Sequence, residues 1–176
     1  PDWVGTVAQK FGDASVHEIP PNGQGIATLI ALAILDHLGI GEHAVDSIET
    51  LHLQIEATKL ALADIAAHVA DPDTMRVAEA DLLDPAYIQE RAALVDRHTA
   101  GDPGHGAPRP GGTVYLATAD AHGRMVSFIQ SNFMGFGSGV VVPGTGISLQ
   151  NRGWGFSLDA AHPNFVAPRK RPFHTI

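Results

Sequence analysis

At Thr113 the apolar pattern of this chain changes period, and that change constrains the fold more than any other feature. Upstream, apolar residues recur at helical spacing; downstream they follow the shorter period of strands. Gln24 to Leu38 is apolar nearly all round (Ile26, Leu29, Ile30, Leu32, Ile34, Leu35), which predicts a buried helix ended near Gly39. Ala44 to Val69 repeats Ile48, Leu51, Ile55, Leu62, Ile65 and Val69 on one face and reads as a long amphipathic helix, stopped by Asp71-Pro72. A short helix is expected from Pro85 to Val95. Beyond Thr113, Val114 to Asp120 and Met125 to Ser131 are joined by Ala121-His122-Gly123, a hairpin with glycine in its loop. Ile147 to Gln150 reads as a third short strand. Helices first and antiparallel strands after describe an α+β chain. No internal repeat interrupts that order.

The boundary itself carries chemistry. Thr99 to Gly112 is rich in glycine and proline and reads as an exposed loop, ending in Gly111-Gly112 directly before Thr113. A threonine hydroxyl is a poor nucleophile without an adjacent base. Cleavage of the Gly112–Thr113 bond would supply one, because the new α-amine of Thr113 lies within reach of its own Oγ. An α-amino group titrates at roughly 7.7–8.0, so a useful fraction is neutral near neutral pH. Glycines before the bond tolerate strained geometry and let a hydroxyl approach the carbonyl. Taken alone, Gly-Gly before a strand marks a turn, so the wider pattern has to decide.

Composition excludes several classes. There are no cysteines, hence no disulfide and no thiolate metal site. Ten histidines are scattered from His17 to His174 without His-x-x-x-His or His-Glu-x-x-His spacing, so no metal site is expected, and acyl transfer through Thr113 needs no cofactor. Gly135-Phe136-Gly137-Ser138-Gly139 lacks the Lys-Ser/Thr of a phosphate loop. The longest apolar stretch, Ile26 to Leu35, is too short to span a bilayer, so no membrane span is expected. Residues 1–112 carry 17 acidic and 6 basic side chains, whereas residues 113–176 carry 2 and 5. That contrast fits an acidic helical surface followed by a near-neutral sheet, and equally two complementary polypeptides from one precursor. Arg169-Lys170-Arg171 is a lone basic cluster, so no nucleic-acid partner is implied. Glu56 and Lys59, one turn apart, read as an exposed salt bridge, and His174 as a local cap or hydrogen bond.

An ordered series of motifs runs through the chain. It includes Glu18-Ile19-Pro20-Pro21-Asn22-Gly23-Gln24-Gly25, His52-Leu53-Gln54-Ile55-Glu56-Ala57-Thr58-Lys59-Leu60, Gly112-Thr113, and Val126-Ser127-Phe128-Ile129-Gln130-Ser131-Asn132. Gly135-Phe136-Gly137-Ser138-Gly139, Val142-Pro143-Gly144-Thr145-Gly146-Ile147, Asn151-Arg152-Gly153 and Lys170-Arg171-Pro172-Phe173-His174-Thr175-Ile176 follow. The series resembles the γ-glutamyltransferase family across the end of its large subunit and the start of its small one. Asn151-Arg152-Gly153, Leu158-Asp159 and His162-Pro163-Asn164 look most like its cephalosporin-acylase-like branch. The resemblance implies an N-terminal-nucleophile hydrolase fold, an αββα sandwich present here in part, with the helices of residues 20–97 covering one face of the sheet begun after Thr113. It divides the chain into 1–112, the last part of a large subunit, and 113–176, the first part of a small one.

By the same resemblance, Thr113 matches the catalytic threonine, and Ser131 a hydroxyl residue that orients it. Gly112 and Thr113 match the cleavage site, and Asn151 and Arg152 the region that binds the acyl part of a small-molecule amide substrate of γ-glutamyl or glutaryl type. Arg152 suits a carboxylate through its planar pair of donors. Three positions depart from the transferase pattern. Phe133 stands where a polar group holds the substrate's α-amine, Gly155 where an acid does, and Val114 where a second threonine is common. These departures favour acyl groups without an α-ammonium, such as glutaryl-like side chains. The family's oxyanion Gly-Gly falls beyond Ile176 and a substrate-gripping arginine before Pro1. The chain therefore reads as the centre of a roughly threefold longer precursor, whose other segments are its implied partners. Its compartment is left open between cytoplasm and periplasm or secretion. The rival reading is a non-catalytic fragment or pseudoenzyme acting as an assembly module.

Overall fold

The computed structural model of the chain describes residues 3–102 and 113–175. It opens with an antiparallel hairpin, β1 (Val7–Phe11) and β2 (Ala14–Glu18), registered Val7 with Glu18 and Phe11 with Ala14. Gly12, at φ 57°, makes its two-residue turn. Val7, Gln9 and Phe11 share the half-buried face of β1 with polar Gln9 between the apolar pair, so no clean apolar alternation announces this hairpin, which corrects the expectation of a helical first half.

Helix α1 (Gly25–His37) buries Ile26, Leu29, Ile30, Ile34 and Leu35. It closes through Gly39 in the left-handed region, φ 71°, as the apolar run and its glycine predict. Helix α2 (Ile48–His68) begins later than Ala44 because Ser47 caps it, its hydroxyl accepting from Thr50 N at 3.1 Å. After a 3₁₀ turn at Pro72–Thr74 come the short helix α3 (Glu79–Leu82) and α4 (Pro85–Ala92). Asp84 caps α4, accepting from Ala86 N and Tyr87 N.

Only the C-terminal part of the expected apolar face of α2 is buried: Ile65, and Val69 just past the helix, lie in the core, whereas its N-terminal members do not. Leu53, Ala57, Leu60, Ala61 and Ile65 face the core, together with the carboxylates Glu56 and Asp64. Ile48 and Ile55 are 83% and 58% exposed. Two ion pairs explain how charge is tolerated on the buried face. Arg91 of α4 grips Asp64 at 2.7 and 3.0 Å. Lys59 holds Glu56 at 2.8 Å, while Glu56 also accepts from Gly101 N at 2.9 Å and Lys59 donates to Gly101 O. This pair is thus an internal anchor for residue 101, not the exposed bridge expected from spacing.

Strands β3 (Thr113–Ala119) and β4 (Met125–Ser131) form the second hairpin, within a residue of the expected bounds. Asp120 closes its turn, accepting from His122 N and Arg124 N and pairing with the Arg124 guanidinium at 2.6 Å. The expected third strand is only a short ladder, with Val142 N bonded to Ile147 O and Leu149 N to Val140 O. Every described buried apolar residue lies between Ile26 and Ala92. Helix α1 packs on α2, on α4 and on the β1–β2 hairpin. The apolar faces of these helices therefore satisfy one another. Residues 115–130 are exposed throughout, so the expected cover of this hairpin by the helices of residues 20–97 is not found.

Candidate functional site

The register of the second hairpin brings two of the candidate residues together. Thr113, first in β3, is the direct cross-strand partner of Ser131, last in β4. Residues opposed in an antiparallel pair have Cα atoms about 4.5–5.5 Å apart, so backbone pairing alone makes these two neighbours. Gly112, the other half of the expected cleavage site, lies outside the described residues. Ser131 Oγ accepts from Phe133 N at 2.9 Å, a short side-chain turn that fixes the hydroxyl at the strand's exit. The next step is strained: Phe133 stands at φ 75°, uncommon for a side chain of this size.

That backbone turn presents the Phe133 ring to residues 151–154. Arg152 Cζ lies 5.1 Å from its centroid, and the Trp154 ring is 6.3 Å away, tilted by 36°. Arg152 sits in a 3₁₀ turn, Arg152–Gly155, and is only 3% exposed. Its Nη1 donates to Thr175 Oγ1 at 2.6 Å, and its backbone N–H to Gln150 Oε1. The ion pairs among the described residues join other basic groups to acids, and none includes Arg152. Burial pulls its pKa below the usual guanidinium value, yet an arginine remains charged at neutral pH. The result is a buried cation faced by an aromatic ring and a hydroxyl, an arrangement that favours an incoming anion.

Asn151 has a different task. Its Oδ1 accepts from Met134 N at 3.0 Å and its Nδ2 donates to Met134 O at 3.2 Å, while its own N–H reaches Asn132 O. The side chain ties the turn after Ser131 to the turn bearing Arg152. Gly155 leaves room that is not used: a Cβ there would lie 3.5 Å from Phe173 O, an ordinary contact. The lack of an acid at this position is a matter of sequence, not of space. A cleft of about 390 Å³ continues from Trp154 and Gly155, walled by Ala66 of α2, Val69 just past it, Phe156, His162 and Phe173. Spacing gave no warning of the Phe133–Arg152–Trp154 group, since its members come from two separate turns; two aromatic residues flanking a glycine-rich segment were its only trace. Among the described residues no group of three or more His, Asp or Glu is placed to hold a metal ion, and no helix is long and apolar enough to cross a membrane.

Comparison with known proteins gives a consistent answer. The family model described as Gamma-glutamyltranspeptidase matches residues 1–176. The chain is 41% identical over 172 residues to the "Oxamate amidohydrolase proenzyme" of Klebsiella pneumoniae subsp. pneumoniae, covering 98% of this chain and 32% of that protein. It is 38% identical over 175 residues to the "Glutathione hydrolase-like YwrD proenzyme" of Bacillus subtilis, covering 99% and 33%. In three dimensions it is similar to the crystal structure of cephalosporin acylase from Bacillus halodurans, with a TM-score of 0.83, 48% identity, and coverage of 100% of this chain and 32% of that one. The chain spans about a third of the length of the curated relatives it matches.

Proposed function

The chain belongs to the gamma-glutamyltranspeptidase family, and from that premise we propose that it carries the nucleophile of an amidohydrolase or acyltransferase, Thr113, released by cleavage of the Gly112–Thr113 bond. On this reading residues 1–112 end a large subunit and residues 113–176 begin a small one. The observation that carries it is the register of β3 with β4, which sets Thr113 opposite Ser131 at the open end of the hairpin.

In the reaction, Thr113 Oγ attacks the carbonyl carbon of an amide while the α-amine of Thr113 takes the hydroxyl proton. The C–N bond breaks, and the same proton passes to the departing amine. The acyl group is left as an ester on Thr113. Water or a second amine attacks that ester, gives up a proton to the α-amine, and releases the acid or the new amide with the hydroxyl restored. Ser131 orients the nucleophile without titrating. Arg152 pairs with a carboxylate on the acyl group, where Thr175 Oγ1 is the acceptor in this structure. Asn151 serves the acyl site by holding the 132–134 turn beneath it. Phe133 and Gly155 offer no polar partner to an α-ammonium group. The donor is therefore a small amide whose acyl part bears a carboxylate and lacks that ammonium.

The rival, an assembly module without chemistry, draws support from the exposed hairpin. Intact mass under denaturing conditions separates the two. Wild type split between Gly112 and Thr113, with Thr113→Ala uncut, is the expected result. A single uncut mass for both proteins, stable over days, removes the catalytic reading.

A further inference from the structure

Residues 161–174 run as a strap across the helical half and are bonded to it at several points. His174 N donates to Asn22 O at 2.8 Å, Asn22 Nδ2 donates to Pro172 O at 2.9 Å, and Gly23 pairs with His174 as a short parallel bridge. Arg171 N donates at 2.7 Å to Oδ2 of Asp71, a buried carboxylate just past α2. Thr74 Oγ1 donates to Pro163 O at 3.2 Å, and Arg76 Nη2 to Ala161 O at 2.5 Å. Between these anchors Phe173 packs, partly buried, against the helical core. The hairpin at residues 115–130, by contrast, is exposed along its whole length.

We propose that this strap, seated on Asn22, Asp71, Thr74 and Arg76, is the clasp that keeps residues 113–176 bound to residues 1–112 once the chain is cut. The proposal rests on the cleavage reading above, since an uncut chain needs no clasp. Three features suit the strap to the task. Pro163, Pro168 and Pro172 stiffen it, so less conformational freedom is lost when it docks. Its bonds to the helical half are made mostly by backbone groups, which substitutions along the strap leave in place. Release would strip Oδ2 of the buried Asp71 carboxylate of the Arg171 N–H, leaving, among the described residues, only the Asp73 N–H on Oδ1, and a buried carboxylate that loses a partner is costly. Among the described residues no comparable set of bonds ties residues 115–130 to the helical half, so the proposal assigns this hairpin no part in retention.

The test uses the Thr113→Ala chain with a site-specific protease sequence inserted between Pro110 and Gly111, so that the cut is made without self-cleavage. The dissociation constant of the nicked pair is measured by sedimentation over a dilution series. The two pieces are expected to stay together. Asp71→Ala should raise the constant by about tenfold to a hundredfold, as loss of a hydrogen bond to a charged group does. Asn22→Ala should raise it about fivefold through one neutral bond, and Phe128→Ser on the hairpin should leave it unchanged. Circular dichroism of the uncut variants checks that each is folded; if Asp71→Ala is not, Asn22→Ala and Arg76→Met carry the comparison. Pieces that part at once, clasp variants that bind like the parent, or a Phe128→Ser effect as large as theirs would each overturn the proposal. A clasp-dependent pair from a chain that never cuts itself would show that the strap holds the two pieces but overturn its role after cleavage, because the cleavage reading itself has then failed.

Discussion

Replacing Arg91 with methionine removes one partner of the ion pair that joins α4 to α2. Arg91 meets both carboxylate oxygens of Asp64, Nη2 to Oδ1 at 2.7 Å and Nε to Oδ2 at 3.0 Å. Asp64 is buried and also bonded by Tyr87, whose own pKa is pushed up to about 12 by burial and by the neighbouring carboxylate. Methionine keeps most of the apolar stem but leaves the carboxylate with Tyr87 as its remaining side-chain hydrogen-bond partner. Breaking a buried pair from one side costs about 3–5 kcal/mol. The low end, about 3 kcal/mol, applies here because 18% of the Arg91 side chain reaches solvent. Adding Asp64→Asn to Arg91→Met should recover about 1–2 kcal/mol, since no charge is then stranded. The pH dependence follows from the direction of the Asp64 shift. Burial raises its pKa above the ordinary carboxylate value, even against the lowering effect of Arg91. A carboxyl raised in this way binds its proton more tightly when folded. Its contribution is full below the unfolded pKa and is lost as pH rises through the folded one. Removing Arg91 raises that pKa further, so the variant falls furthest behind wild type at pH 7 and closes the gap on acidification. Urea unfolding followed at 222 nm, at pH 7 and near pH 4.5, measures both effects. A cost below about 1 kcal/mol at pH 7, or one unchanged by acidification and by Asp64→Asn, would refute the reasoning.

Three further outcomes are expected. Ser131→Ala should slow self-cleavage about tenfold, the loss of one hydrogen bond in the transition state, while Ser131→Thr stays near wild type; time-resolved intact mass reads both. Gly137→Ala should destabilise the glycine-rich segment by about 1–3 kcal/mol, because Gly137 stands at φ 72° and a Cβ there would collide with Leu149 O; resistance of residues 135–150 to proteolysis reports it. The chain should bind a hydrophobic dye and self-associate with rising concentration through Tyr115, Leu116, Phe128 and Ile129, and Phe128→Ser with Tyr115→Ser should reduce both signals.

What the sequence made legible was whatever depended on neighbours along the chain. The apolar run and Gly39 marked α1, Pro85 the start of α4, and the alternation around Gly123 the second hairpin. The motif order pointed to the family, and the resemblance singled out Thr113 and Ser131, whereas their cross-strand register is a finding of the structure. Contacts between distant segments were not legible. Ile48 and Ile55 look like core by size, yet α2 buries Glu56 and Asp64 because Gly101 and Arg91 arrive from elsewhere to satisfy them. The β1–β2 hairpin was hidden by polar residues at half its positions. Arg152 was singled out by resemblance, but its burial was not legible. Its burial is set by Phe133, which turns beneath it at a φ that sequence does not encode for phenylalanine, and by Thr175, far along the chain.

The confinement of the buried apolar residues to the stretch from Ile26 to Ala92 also bears on the timing of assembly. Chains fold from the N-terminus as they are synthesised, at about 5–20 residues per second. The 84 residues from Ala93 to Ile176 therefore take about 4–17 seconds to add, whereas helices form in about a microsecond. The first half has time to complete its interior while Thr113 is still being delivered. The strap thus meets a finished surface, and any chemistry at Thr113 starts on a platform already built.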